Sequence, residues 1–111
     1  MHEASIVREL LETAGARAGS ARVRQVRVAV GQLSGVSPDA LTFYFEILRG
    51  DTVGAQAELE VDLVPLHGRC LACGRPATLQ ELAWSCAECA GALVFDNGTE
   101  LNLTSLVVEH G

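Results

Sequence analysis

The chain of 111 residues contains no lysine: all eight basic residues are arginines, set against 14 acidic residues, for a formal charge of −6 at pH 7. The arginines are scattered through the first half of the chain and around the cysteines, so the dense basic patch that a nucleic-acid interface requires is missing. Long apolar runs are missing too. None approaches the roughly 20 residues that cross a bilayer, and the first ten residues carry Glu3, Arg8 and Glu9 where a secretory signal would be apolar. The expectation is a soluble, cytoplasmic protein that engages neither nucleic acid nor membrane. Aromatic residues make up only 5% of the chain, so its core must be aliphatic. There is no GxxxxGK[ST] loop and no nucleophile motif, which argues against an enzyme. Cysteine is absent before residue 70 and after residue 89.

What is present reads as alternating elements. From Glu3 to about Ala18, apolar residues fall at Ile6, Val7, Leu10, Leu11, Ala14 and Ala18, one face of a helix that Gly19 is placed to end. In ARVRQVRVAVGQL, Val26, Val28 and Val30 alternate with Arg27 and Ala29, the period of a half-buried strand. Ser37 is placed as N-cap and Pro38 as first residue of a second helix. That helix is expected to bury Leu41, Tyr44, Phe45 and Leu48 and to close at Gly50. AQAELEVDLVP sets Ala57, Leu59, Val61 and Leu63 on one face and Glu58, Glu60 and Asp62 on the other, and Pro65 ends it. After the turn signal Asp96-Asn97-Gly98 comes a last strand in TELNLTSLVVE. The pattern predicts an α+β fold: two helices packed on a small mixed three-stranded sheet, with a four-cysteine, zinc-ribbon-like module inserted before the last strand. Residues 1–66 plus 98–111 would form the α+β domain and residues 67–97 the module.

The module holds Cys70-x2-Cys73, a twelve-residue spacer and Cys86-x2-Cys89. A two-residue spacer lets both sulfurs of a pair face one ion and leaves backbone N–H groups to bond them, and Gly74 and Gly91 are placed to relieve the two turns. Four thiolates suit tetrahedral zinc best, with iron chemically allowed. A closed four-thiolate site leaves no position for substrate, so the zinc is expected to be structural. The cytoplasmic setting disfavours disulfides, and thioredoxin-type CxxC motifs come singly. His67 reads as a linker residue with the alternative of contacting or replacing a thiolate; His110 reads as tail.

The other candidate site is the opening Met1-His2-Glu3. Methionine before a bulky histidine is normally retained, so the α-amine of Met1 is expected to be free. That amine and the amide and imidazole nitrogens of His2 close small fused chelate rings on one ion. Such a donor set favours square-planar Ni(II) or Cu(II) over tetrahedral zinc, with the amide or carboxylate of Glu3, or an acid from elsewhere, to complete the plane. A cation there opposes the helix dipole by up to about 1 kcal/mol. Binding also displaces protons from an amine of pKa about 7.7–8.0 and an imidazole of about 6.5, so affinity falls with pH. The plainer readings stay open: His2 as a solvated residue at a chain end, and Glu3 and Asp39 as first-turn helix acids.

MHE followed by SI, then GQLSGVSPDALTFYFE, the paired CxxC knuckles and the closing L-x-x-x-S-x-x-V-E strand (Leu101, Ser105, Val108, Glu109) together resemble the HypA/HybF family of hydrogenase-maturation nickel chaperones, over nearly the whole chain and in the same order. The resemblance implies a transient Ni(II) site at Met1, His2 and Glu3 and a structural Zn(II) site at Cys70, Cys73, Cys86 and Cys89. It implies delivery of nickel to the immature large subunit of [NiFe]-hydrogenase with the GTPase HypB, some relatives also serving urease, in a monomer or dimer, with the module and first helix as docking surfaces. Two departures stand out. Some relatives have an acidic nickel ligand where this chain has Ser37, with Asp39 two residues on, and the second knuckle lacks the proline common after its first cysteine. The competing reading is a zinc-ribbon adaptor that binds protein or nucleic acid and has no use for nickel.

Overall fold

A computed structural model describes residues 3–52 and 54–110. Helix α1 spans Glu3–Ala18 and leads through Gly19, in the left-handed region at φ 62°, to strand β1 at Arg22–Gly31. Helix α2, Pro38–Leu48, starts as expected: Ser37 is the N-cap, its hydroxyl accepting from the Ala40 N–H at 3.2 Å, and Pro38 lies in the first turn. Its end differs from expectation. α2 tightens into a 3-10 turn over Arg49–Asp51 in which Arg49 stays right-handed at φ −72°. Thr52 closes that turn, donating from both N–H and hydroxyl to the Arg49 carbonyl. Gly50 is not used as a left-handed stop.

Strand β2, Glu58–Val64, runs parallel to β1 on one side, and β6, Leu101–Glu109, runs antiparallel on the other, giving a mixed three-stranded sheet in the order β2-β1-β6. The helices cover one face. Ile6, Val7, Leu10, Leu11 and Ala14 of α1 and Leu41 and Phe45 of α2 bury against Val23, Val26, Val28 and Val30. Each such large side chain contributes about 1.5–3 kcal/mol on leaving water. Tyr44 and Leu48 are only partly buried. The uncovered face carries ion pairs, Arg27 with Glu60 and Asp62 and Arg24 with Glu109.

Two bulges adjust the alternation. One extra residue in β1 at Arg24 brings Val23 into phase with Val26, and one in β6 at Thr104 keeps Leu101, Leu103, Leu106 and Val108 on the helix side. Leu63 departs from its expected burial and is 54% exposed, because β2 is an edge strand and Leu63 lies near its end.

The cysteine segment forms a second sheet, β4-β3-β5, from Leu66–Cys70 (β3), Pro76–Leu79 (β4) and Leu93–Phe95 (β5). The chain passes between the sheets twice, at Pro65 and at Asn97-Gly98, and one side chain ties both passages. The Asn97 amide donates to Pro65 O at 2.9 Å and Glu100 Oε2 at 2.8 Å and accepts the His67 N–H at 2.8 Å. Glu100 accepts the Gly98 N–H at 2.8 Å, and Gln32 reaches Gln80 O at 2.7 Å. The Asp96-Asn97-Gly98 turn signal therefore marks a joint, with Gly98 at φ 131°.

Two expectations follow from this joint. A Cβ at Gly31 would collide with Gly98 O and Glu100 Oε1, whereas Gly35, at φ 75°, has open space around it. Gly31→Ala should therefore destabilise the chain by about 2 kcal/mol or more, against about 1 kcal/mol for Gly35→Ala, as urea unfolding would measure. Bonds from its own N–H, from Asn97 and from the Gly98 N–H hold the Glu100 carboxyl below the usual carboxylate range, against the opposing effect of burial. A lowered pKa contributes stability that is present above the ordinary carboxylate pKa and is lost as pH falls through the lowered one. Glu100→Gln should flatten the acid limb of stability against pH while leaving the neutral-to-alkaline slope unchanged.

Candidate metal centre

Cys70, Cys73, Cys86 and Cys89 converge with their sulfurs all within 4.8 Å of one another, the one group of three or more metal-ligating side chains to do so among the described residues. The two knuckles that present them are built alike. In the first, Gly74 N–H donates to Cys70 O at 3.0 Å and Cys70 N–H to Arg75 O at 3.0 Å. In the second, Ala90 N–H donates to Cys86 O at 2.9 Å and Cys86 N–H to Gly91 O at 2.8 Å. The Leu71 N–H bond to Ala92 O at 2.9 Å holds the knuckles side by side, and the Leu93 N–H bond to Trp84 O at 3.0 Å closes the base of the second. The Arg75–Glu88 ion pair at 3.2 Å spans them on the surface.

The likeness of the knuckles corrects the role expected of one glycine. Gly74 takes the left-handed conformation at φ 74°, and its counterpart is Ala90, at φ 62°, not Gly91. Gly91 serves close approach instead. A Cβ there would lie 2.6 Å from the Ala72 methyl, 2.9 Å from Cys70 Sγ and 3.2 Å from Cys89 Sγ. Its N–H points at Cys89 Sγ at 3.4 Å, as the Cys73 N–H points at Cys70 Sγ at 3.4 Å.

These N–H groups favour thiolate, the form that binds metal. Led by the Cys73 N–H, and against desolvation, they hold the Cys70 thiol down to about 6, and the Cys89 and Glu88 N–H groups lower Cys86. At Cys89 the Gly91 N–H lowers the pKa. Hydrogen bonds with Cys70, Cys73 and Cys86 and desolvation together outweigh it and push that thiol up to about 12. A metal-free cluster thus holds some of its protons, and a dication must displace them to bind all four sulfurs. The donor set is closed, soft and four-fold, which fits zinc.

The module has little else to hold it. Leu66, Cys70 and Leu93 are buried, while Leu71 is 68% and Trp84 58% exposed, Trp84 packing edge-on against Phe95 at 5.6 Å. His67 lies within β3, not in a linker, and its exposed ring meets the Thr78 hydroxyl at 3.3 Å. It takes no part in the cluster.

Of the N-terminal candidates, Met1 and His2 lie outside the described residues. Glu3 is the first residue of α1 and is half-buried. Asp39 is an exposed acid in the first turn of α2, and the Ser37 hydroxyl is engaged in capping. The sequence offers only a turn signal for the Asn97–Glu100 joint, whereas aligning the two knuckles by their spacing reveals the left-handed Ala90.

A family model described as hydrogenase/urease nickel incorporation, metallochaperone, HypA matches residues 1–108. The chain is 38% identical over 112 residues to the hydrogenase maturation factor HypA of Rhizobium leguminosarum bv. viciae, covering 97% of this chain and 99% of that one. It is 40% identical over 117 residues to that of Streptomyces avermitilis, covering 100% and 89%. The fold superposes on the solution structure of the nickel metallochaperone HypA from Helicobacter pylori with a TM-score of 0.66 at 24% identity, over 97% of each chain.

The knuckle geometry can be tested by substitution. Ala90→Gly should relieve left-handed strain and stabilise the metal-loaded module by up to about 1 kcal/mol, whereas Gly74→Ala should cost about as much. Gly91→Ala displaces two sulfurs and should speed zinc loss to a competing chelator by about tenfold or more. Circular dichroism melts and a chromogenic chelator assay would read these effects.

Proposed function

The chain belongs to the HypA family of hydrogenase and urease nickel-incorporation metallochaperones, and from that premise we propose that it carries Ni(II) at Met1, His2 and Glu3 and keeps Zn(II) at Cys70, Cys73, Cys86 and Cys89. The observation that carries this division is the closure of the four-thiolate cluster. Four sulfurs leave a tetrahedral ion no open position and exchange it slowly, so they suit a resident metal. A cargo metal needs ligands that can be released one at a time, and an amine, an amide, an imidazole and a carboxylate at a chain end meet that need. Zinc supplies folding energy where the apolar core is thin.

In this reading residues 1–66 plus 98–111 form the nickel-binding domain and residues 67–97 the zinc module. The chain acts in the cytoplasm and transfers metal without catalysing a reaction. It passes nickel to the immature large subunit of [NiFe]-hydrogenase. GTP hydrolysis belongs to its partner HypB, since the chain carries no phosphate-binding loop. The outer face of α1, with Arg8, Glu9 and Glu12, and the exposed Leu71, Leu82 and Trp84 of the module support docking there.

The test is a Ni(II) titration of zinc-loaded chain followed by absorption, beside His2→Ala and a variant with one extra glycine before Met1. The native terminus should bind nickel with a planar spectrum, and both variants should lose it by about tenfold or more while retaining zinc. Equal nickel binding by all three, or by none, would leave the zinc-ribbon adaptor as the better account.

A further inference from the structure

The four sulfurs differ in both spacing and access. Cys70 Sγ lies 3.4 Å from Cys89 Sγ, and Cys73 Sγ lies 3.9 Å from Cys86 Sγ. Cys70 is buried and Cys86 half-buried, while Cys73 and Cys89 are exposed. Each of these pairs therefore joins one accessible thiol to one sheltered thiol, and each links one knuckle to the other. We propose that the cluster is an oxidation site for hydroperoxides, at which disulfides form across the knuckles, Cys70 to Cys89 and Cys73 to Cys86, as the metal leaves.

The chemistry balances with the peroxide as sole oxidant. Deprotonated when a metal is bound, the exposed Cys89 sulfur attacks a peroxide oxygen; the O–O bond breaks, leaving a sulfenic acid on Cys89 and releasing hydroxide, or alkoxide from an organic peroxide. The Cys70 sulfur then attacks the Cys89 sulfur. The S–S bond forms, the S–O bond breaks, and the departing hydroxide takes up a proton as water. Cys73 and Cys86 consume a second peroxide in the same way. Each pair loses two electrons, and a metal held there, deprived of its thiolates, would be released.

Three features favour pairing across rather than within the knuckles. Gly91, lacking a Cβ, lets Cys70 and Cys89 approach. The Leu71–Ala92 backbone bond and the Arg75–Glu88 ion pair hold the knuckles together without help from a metal. Within the first knuckle, the Cys73 N–H bond to Cys70 Sγ stabilises the open turn.

The inference rests on reading the four thiols as one metal site. In the zinc-loaded full chain, two equivalents of hydrogen peroxide should consume all four thiols and release zinc to a chromogenic chelator. Chymotrypsin and Glu-C, cutting after Leu71 and Glu88, separate the cysteines within each knuckle, so unreduced peptides report the pairing. The expected result is 70–89 with 73–86, well above the roughly one third that random choice among three connectivities would give. Within-knuckle pairs, the 70–86 with 73–89 pattern, a random mixture, or thiols that remain reduced would overturn the proposal. A chelator-stripped sample oxidised in parallel keeps the two ideas apart. Lack of zinc in the isolated protein would count against the zinc reading, whereas the connectivity in the stripped sample decides the oxidation site.

Discussion

The structure depends on bringing four sulfurs to one point in a segment that buries almost nothing else. Leu66, Cys70 and Leu93 are a small core for a three-stranded sheet, and sheets of this size need more apolar cover or a cross-link to stand alone. A metal held by the four-cysteine cluster would be that cross-link. Its demands explain local features that would otherwise stand unrelated: two turns of the same hydrogen-bond pattern, a left-handed residue after each knuckle, and one position where even a methyl group would press on two sulfurs. With a metal bound at the cluster, the energetic weight of the module would lie in bonds to that ion, whereas that of the helix-covered sheet lies in aliphatic burial.

The joint lets these two kinds of stability coexist in one chain. Both passages between the sheets are short, and Asn97 and Glu100 saturate the polar groups there with bonds of 2.8–2.9 Å. Gly31 and Gly98 allow the backbones to cross in contact. The loop after β1 is part of the same crossing, through Leu33 N–H to Gly98 O and Gln32 to Gln80 O. That loop leads directly to Ser37 and the start of α2. A change in the module therefore has a bonded route toward the N-terminal half of the fold, carried largely by backbone groups.

Much of this was legible in the residues. Apolar spacing of three and four located α1, the Ser37-Pro38 pair located the start of α2, alternation located β1 and β2, and the Asp96-Asn97-Gly98 turn located the start of β6, because each signal is a local consequence of helix, strand or turn geometry. The α+β class and the four-cysteine cluster followed from element order and ligand spacing. What was not legible depended on neighbours distant in sequence. The burial of Val23 needs a bulge opposite β6, the exposure of Leu63 needs β2 to be an edge, and the stop of α2 belongs to Thr52, not Gly50. Ala90 holds the left-handed position because the surrounding hydrogen bonds over-determine it, against its own preference.

The two candidate metal sites differ in a way that bears on how one small chain can handle two ions of the same charge. Divalent zinc and nickel compete for nitrogen and sulfur donors, and intrinsic affinity alone does not sort them. Sorting has to come from geometry and from the rate of exchange. Four thiolates gathered by backbone N–H groups and by Gly91 suit a tetrahedral ion such as zinc better than planar nickel. A set of nitrogens with deprotonated amides imposes a plane that zinc does not prefer. Under the proposed assignment, each site would disfavour the other's ion by shape, and the closed site would retain its ion where the open one must release it. A resident ion in the module would also leave no spare thiolate to capture a cargo ion in transit.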